Sequence, residues 1–314
     1  MVSIMRVATF NLQNMRLRLR EGRPVLDGAF DQDQSNVQRS VALSLADREQ
    51  SAKVIHAAQA DIVALQEVFD TPALDFFHDN FLRQTGSSAY PFRYCIPGND
   101  GRGLNVAALC RSQPINVKSH VNLTGADLDL SDLPPELREH RLFRRDCLEL
   151  DFAGVTLFVC HFKAPYPDAE KAYIIREAEA RAVRKIVEMR FDDPRRERWM
   201  IVGDLNEPGP GDELSPSALA PLKHGFSFDL LDRLAPGTDW TYEVPGTHLH
   251  SRPDRILVSP RLAQEYPNGR PEIIRTGMTG PSRTRRHGAF GDEPNKACHA
   301  SDHALVYADF PGLE

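Results

Sequence analysis

The chain has 314 residues, 41% of them hydrophobic and 26% charged, with 44 acids against 38 bases for a formal net charge of −6. This is the composition of a globular protein with a sizeable core, without an apolar run long enough for a membrane span or a global basic field for coating a polyanion. A nuclease is not excluded, because a bound divalent cation supplies positive charge locally where phosphate chemistry needs it.

The length suits one large α/β domain, and a single domain over 1–314 is expected. Met1 to Met5 leads straight into the apolar stretch Arg6 to Phe10 without the basic region, apolar core and cleavage site of a secretory signal, so a cytoplasmic protein is expected. The cysteines at 95, 110, 147, 160 and 298 are scattered and odd in number, and read as reduced core residues.

Short β-branched or apolar runs bounded by turn residues predict strands over 5–10, 61–66, 105–110, 147–152, 155–161, 199–203, 254–258 and 304–309. After the second of these, Thr71-Pro72 offers an N-cap and a first-turn proline, Leu74, Phe77 and Phe81 mark one face, and Gly86 is the stop. The runs flanking Ala153-Gly154 predict a hairpin over 147–161. In 168–190 the residues Ile175, Ala178, Ala182, Ile186 and Val187 recur at helical spacing opposite a charged face. The segments 11–46, 111–145 and 264–300 lack periodicity and read as loops. A hairpin among strand and helix alternations predicts two mixed sheets packed face to face with helices outside, a four-layer α/β sandwich.

Candidate chemistry gathers at strand ends. Gly203-Asp204-Leu205-Asn206 follows the apolar run Trp199 to Val202, and Asp-x-Asn sends an anionic and an amide side chain to one side of the backbone. Such a pair suits the orientation of an attacking water, although an Asp/Asn pair capping its own turn fits equally well. Ser301-Asp302-His303 precedes the last strand and offers an imidazole beside a carboxylate. Asp61 to Glu67 is an apolar strand ending in a carboxylate that suits Mg²⁺. Asn11, His161 and Asp254 repeat the arrangement, each at one end of an apolar strand. Taken singly, each is an ordinary polar strand end.

Taken together, the order Asn11, Leu65-Gln66-Glu67, His161, Gly203-Asp204-x-Asn206, Asp254-x-Ile256 and Ser301-Asp302-His303 resembles the endonuclease/exonuclease/phosphatase superfamily over nearly the whole chain. The resemblance implies a four-layer sandwich that hydrolyses phosphate esters with Mg²⁺ or Mn²⁺. It implies Glu67 and Asp302 at the metal, Asn11 close to the metal or to the substrate phosphate, and Asp204 and Asn206 orienting the nucleophilic water. His303 becomes the general base or a phosphate-holding imidazolium, oriented by Asp254, and His161 a contact to phosphate or to the leaving oxygen. Which histidine serves as acid and which as base stays open.

Lys163 shares His161's side on a period-two argument and Arg102 sits in a glycine-flanked turn; both are weaker candidates for substrate contact. His248-Leu249-His250 lacks a third ligand and reads as a polar strand or loop face, and the basic run Arg283, Arg285 and Arg286, followed by His287, reads as a solvated loop. Pro253-Asp254-Arg255-Ile256 resembles the inositol-phosphatase form of its motif. Arg252-Pro253 stands where that form has tryptophan-cysteine, and Glu207-Pro208 where it has tyrosine-arginine. The tryptophan-rich substrate face of abasic-site repair enzymes is also missing: there are two tryptophans, and Trp199 is expected in the core. The leading expectation is a metal-dependent phosphodiesterase with nucleic acid as substrate. The alternatives are a phosphatase or diesterase for a small or lipid phosphate, and a silent binding module.

Overall fold

The computed structural model of the chain describes residues 3–26, 45–209, 216–244, 247, 249–278 and 299–313. Strand β1 (Ile4–Met15) is followed by a small hairpin of β2 (Arg18–Arg20) and β3 (Arg23–Val25). Then come α1 (Leu45–Ala58), β4 (Ile62–Val68), α2 (Thr71–Phe77), β5 (Phe92–Cys95) and β6 (Asn105–Cys110). The chain continues through β7 (Asn116–Ser119), α3 (Pro135–Arg138), β8 (Cys147–Asp151), β9 (Thr156–His161), α4 (Ala169–Arg190) and β10 (Trp199–Asp204). It ends with β11 (Phe228–Asp229), β12 (Tyr242–Glu243), β13 (His250–Ser251), β14 (Asp254–Val258), α5 (Pro260–Glu265), β15 (Glu272–Ile274) and β16 (Leu305–Pro311).

Two six-stranded sheets carry the fold, one ordered β15-β16-β1-β4-β6-β5 and the other β11-β14-β10-β9-β8-β7. Both are mixed: β1 is parallel to β4 and antiparallel to β16, and β10 is parallel to β9 and antiparallel to β14.

Period-two alternation sorts the side chains into layers. Met5 and Val7 of β1 join Leu157, Val159, Met200 and Val202 of the second sheet in a buried cluster between the sheets. The alternate residues Ala8, Phe10 and Leu12 cluster with Val54 and Ile55 of α1 and Leu74 and Phe77 of α2 on the outer face. In the second sheet Trp199 and Ile201 point outward into a cluster with Ala182, Val183, Ile186 and Val187 of α4. The result is helix, sheet, sheet, helix, and each Val or Leu side chain fully removed from water contributes about 1.5–3 kcal/mol.

The predicted strands, the 147–161 hairpin and the 168–190 helix are all present. Asp168 caps α4 by accepting from Lys171 N. Trp199 and four of the cysteines, 95, 110, 147 and 160, are buried, the cysteines as free thiols. Three expectations need correction. The cap of α2 is Asp70, which accepts from Ala73 N at 2.7 Å, so Thr71 is already helical and its hydroxyl donates to Cys95 O. That helix passes through a π turn, His78–Leu82, and a 3₁₀ turn, Arg83–Thr85, before Gly86 at φ +80° stops it. The expected loops also hold elements. β1 runs on to Met15 and is followed by β2, β3 and the start of α1; β7 and α3 lie within 111–145, and the end of α5 and β15 within 264–300. Arg283, Arg285, Arg286, His287, His248 and Cys298 lie outside the described residues. Among the described residues no helix is long and apolar enough to cross a membrane.

Candidate active site

The alternation that fills the space between the sheets also places the polar strand ends. Asn11 continues the parity of Met5 and Val7, His161 that of Leu157 and Val159, Asp204 that of Met200 and Val202, and Asp254 that of Ile256 and Val258. All four therefore point between the sheets at one end of the sandwich. In the second sheet Asp204 stands in register with His161 on one side and Asp254 on the other.

Local backbone devices aim the remaining groups. Gly203 has φ +146°, and a Cβ there would lie 1.9 Å from the Cys160 carbonyl oxygen, so only glycine lets β10 close on β9 just before Asp204. Glu67 is the extra residue of a β-bulge, between the pairs Gln66–Val106 and Val68–Asn105, with φ +63°. Bulges re-aim a side chain at a sheet rim, and here the carboxylate turns back to accept from Asn14 N at 2.8 Å. Gln13 and Asn14 are themselves left-handed, at φ 48° and 53°. The fully buried guanidinium of Arg48 in α1 holds that turn by donating to the carbonyls of Leu12, Gln13 and Asn14. Ser301 ties the last motif to the first strand by donating to Asn11 O at 2.7 Å.

These groups meet at a cleft with a cavity volume of about 200 Å³, lined by Glu67, Arg102, His161, Asp204, Asn206, Asp302 and His303 among others. Asn11 and Asp254 are buried beneath the floor: Asn11 Nδ2 donates to Asp204 Oδ2 at 3.0 Å, and Asp254 Oδ2 faces His303 Nδ1 at 2.9 Å and accepts from Thr241 Oγ1 at 2.6 Å. Asp204 Oδ1 accepts from Asn206 N at 2.9 Å, and Asn206, at φ 51°, donates its amide to Phe162 O at 3.0 Å. Lys163 does not line the cleft, because the chain leaves the sheet after His161 and its ammonium donates to the carbonyls of Ala164 and Tyr166. His250 stacks on Trp240 at 4.1 Å, as befits a polar strand face.

The two histidines are driven in opposite directions. Burial alone would discharge His303, but Asp254, Asp204 and Asp302 overcome it and raise its pKa well above the ordinary value, giving an imidazolium. Burial, with the charges of Arg145, His303 and Arg102, holds His161 well below its ordinary value, so it is neutral, and its Nδ1 has no hydrogen-bond partner. The Nε2 atoms of the two rings approach the same Asp204 oxygen, at 3.5 Å for His161 and 3.9 Å for His303.

Burial, and the nearby Asp254 and Glu67 carboxylates, raise Asp204 despite the opposing charge of His303. Burial and Glu67 push Asp302 to about 6. Carboxylates crowded in a buried site at the cost of their own ionisation are the donor set of a hard divalent cation, whose charge would reverse those shifts. Asp204, Asp254 and His303 can bring one donor atom each within 4.8 Å of one another. However, Asp254 and His303 already pair with each other, so Glu67 and Asp302 on the open floor, with Asn11 beneath, are the better cradle for a metal.

Several residues at the site escaped the sequence reading. Arg145 is buried and lines the cleft. Its Nε lies 3.1 Å from Asp100 Oδ2 and its Nη1 donates to Phe162 O at 3.1 Å. The signal was there: it stands just before β8, whose Cys147 pairs with Cys160, so it emerges at the same sheet end as His161. Arg176 of α4 joins two motif ends, donating to Lys163 O at 3.1 Å and to Glu207 Oε2 at 3.2 Å. Tyr166 and Tyr242 also line the cleft, and the Tyr242 ring packs 4.8 Å from that of His303.

The sequence pattern of the Endonuclease/Exonuclease/phosphatase family matches residues 8–303. Among solved structures the chain is similar to truncated TDP2 from Caenorhabditis elegans, at 16% identity and a TM-score of 0.54 over 98% of each chain. It is similar to D. rerio TDP2 complexed with a single-strand DNA product, at 14% identity and a TM-score of 0.54 over 98% of each chain. A third, an endonuclease/exonuclease/phosphatase family protein from Leptotrichia buccalis, has 12% identity and a TM-score of 0.55 over 97% of this chain and 98% of that one. At these identities the likeness is one of fold. No curated protein sequence matches the chain. By a family match that begins within β1 and ends at His303, the chain belongs to the endonuclease/exonuclease/phosphatase family.

Proposed function

We propose that the protein is a phosphodiesterase dependent on Mg²⁺ or Mn²⁺, working as a single catalytic domain, that cleaves nucleic acid by direct attack of water. The observation that carries this reading is the convergence of Glu67, His161, Asp204, Asn206, Asp302 and His303 on one cleft, with Asn11 and Asp254 holding Asp204 and His303 from below. A related fold, D. rerio TDP2, has been seen with a single-strand DNA product, which favours nucleic acid over a lipid or small phosphate.

A cation held by Glu67 and Asp302 would supply a Lewis acid that polarises the phosphate and stabilises charge on its oxygens. The residues of the chain do the rest. Asp204 takes the proton of the attacking water, a task eased by a pKa raised out of the ordinary carboxylate range. Asn206 holds Asp204 through its backbone N–H and fixes the water's approach. His303, kept protonated by Asp254, donates from Nε2 to a phosphate oxygen. His161 enters neutral and donates a hydrogen bond to the same phosphate. As the water oxygen bonds to phosphorus the bond to the leaving oxygen breaks; that oxygen takes a proton from solvent, and Asp204 returns to solvent the one it accepted. Arg145, whose geometry is set by Asp100 before substrate arrives, adds preorganised positive charge.

The test is hydrolysis of single- and double-stranded DNA, RNA and bis(4-nitrophenyl) phosphate with and without Mg²⁺ or Mn²⁺, beside Asp204→Asn. Metal-dependent cleavage of a nucleic acid that disappears in the variant supports the reading. Turnover indifferent to chelation or to the substitution overturns it.

A further inference from the structure

We infer that Tyr166 is the seat for a nucleobase adjoining the scissile phosphate, so that the protein selects unpaired strands; this rests on the phosphodiesterase reading above. Tyr166 lines the catalytic cleft and yet the residue is 68% exposed. An aromatic side chain left in water at the mouth of a polar site offers a flat apolar face to whatever enters.

Its placement is built. The carbonyl of Tyr166 accepts from Lys163 Nζ. Lys163 is anchored in turn at both backbone ends: its N–H donates to the buried Glu179 at 2.7 Å and its carbonyl accepts from Arg176 at 3.1 Å. Asp168, two residues on, caps α4. The loop is thus fixed from inside while the ring faces out, and stacking on it requires no ordering of the backbone.

Three further observations choose the occupant. The cleft is polar at its floor, with Arg145 and Arg102 among its lining residues, which assigns the phosphate to the interior and leaves the aromatic mouth for a group attached to it. A cavity of about 200 Å³ is smaller than the roughly 300–1,000 Å³ pockets that enclose a drug-sized ligand, so it takes one phosphate and about one adjoining group. The net charge of −6 gives the chain no overall positive field to hold a duplex along its length, which favours local contact at the cleft. An unpaired base next to the phosphate satisfies all three, because every base has a face that stacks on tyrosine.

The test compares wild type, Tyr166→Ala and Tyr166→Phe with Mg²⁺ on a single-stranded oligodeoxynucleotide and on an oligomer of the same length built from abasic sites, with bis(4-nitrophenyl) phosphate as a third substrate. The expected result is a KM for the base-bearing oligomer raised about tenfold or more in Tyr166→Ala with kcat retained, no more than about a twofold change on the abasic oligomer, and near wild-type behaviour in Tyr166→Phe. Equal loss on both oligomers, or loss on neither, overturns the inference and leaves the phosphodiesterase reading standing. Turnover of bis(4-nitrophenyl) phosphate without cleavage of either oligomer overturns the nucleic-acid reading and the inference with it.

Discussion

His303 Nδ1 lies 2.9 Å from Asp254 Oδ2, and Asp254 is completely buried, so the imidazole at the cleft is fixed in orientation and charge by a carboxylate that no substrate touches. Thr241 Oγ1 donates to the same carboxylate oxygen at 2.6 Å and holds it in place.

Removing that negative charge therefore acts through His303. In Asp254→Asn the imidazolium loses a partner that raises its pKa, while the burial that lowers it remains. The alkaline limb of the pH profile of kcat/KM, where the imidazolium is lost, moves to lower pH, and activity near neutrality falls about 10²-fold or more. A profile displaced upward or unmoved would contradict the assignment of His303 as the charged histidine.

Arg145→Met removes preorganised positive charge from the cleft and is expected to lower kcat/KM about 10²-fold. Arg145 is also the leading charge that keeps His161 uncharged, second only to burial. Its loss raises the His161 pKa, a change visible in the imidazole resonances of an NMR titration. An unchanged His161 titration would show that the guanidinium and the ring do not share one field.

Glu179 provides a pH test independent of catalysis. It is buried in α4, where it accepts from Arg144 N and Lys163 N, and burial raises its pKa from 4.5 to about 6. A carboxyl whose folded pKa is raised contributes stability that is complete below about 4.5 and is lost as pH rises through 6. This amounts to about 2 kcal/mol. Urea unfolding of wild type and Glu179→Gln across pH 4–8 should show wild type losing about that much relative to the variant. A constant difference would mean that Glu179 titrates normally.

Gly203→Ala places a Cβ 1.9 Å from the Cys160 carbonyl at a φ that side chains avoid. Strands β9 and β10 must then part at the centre of the second sheet, with an expected loss of about 4 kcal/mol or more. Thermal unfolding reads this directly, and a stability within 1 kcal/mol of wild type, on the order of a surface substitution, would contradict the geometry.

Most of the sandwich was legible because strands alternate. The parity that buries Val7, Val159, Val202 and Ile256 between the sheets carries Asn11, His161, Asp204 and Asp254 to the same end of the sandwich, two of them lining the cleft and two beneath it. Parity failed where the backbone stops being a strand. Lys163 shares His161's parity but follows the end of β9, and Glu67 reaches its place through a bulge that no residue pattern announces. Helix α1 was missed for a different reason: its buried face includes Asp47, Arg48, Gln50 and Ser51. Such a face braces the backbone of the motif segments, with Arg48 on the carbonyls of 12–14, Ser51 on Ala300 O and Asp47 on His299 N, and shows no apolar period. Arg145 carries no strand-end signal of its own, because it lies two residues before β8 in a basic segment, Arg141 to Arg145, that reads as a solvated loop.

The central claim is that Glu67 and Asp302 hold a divalent cation beside the Asp204 base. The most direct measurement is hydrolysis of a single-stranded oligonucleotide as a function of Mg²⁺ and Mn²⁺ concentration for wild type, Glu67→Gln and Asp204→Asn. The account predicts activity abolished by chelation, a half-saturating metal concentration raised in Glu67→Gln, and no turnover at any metal concentration in Asp204→Asn. Cleavage that survives chelation, or a metal requirement identical in Glu67→Gln and wild type, would contradict it.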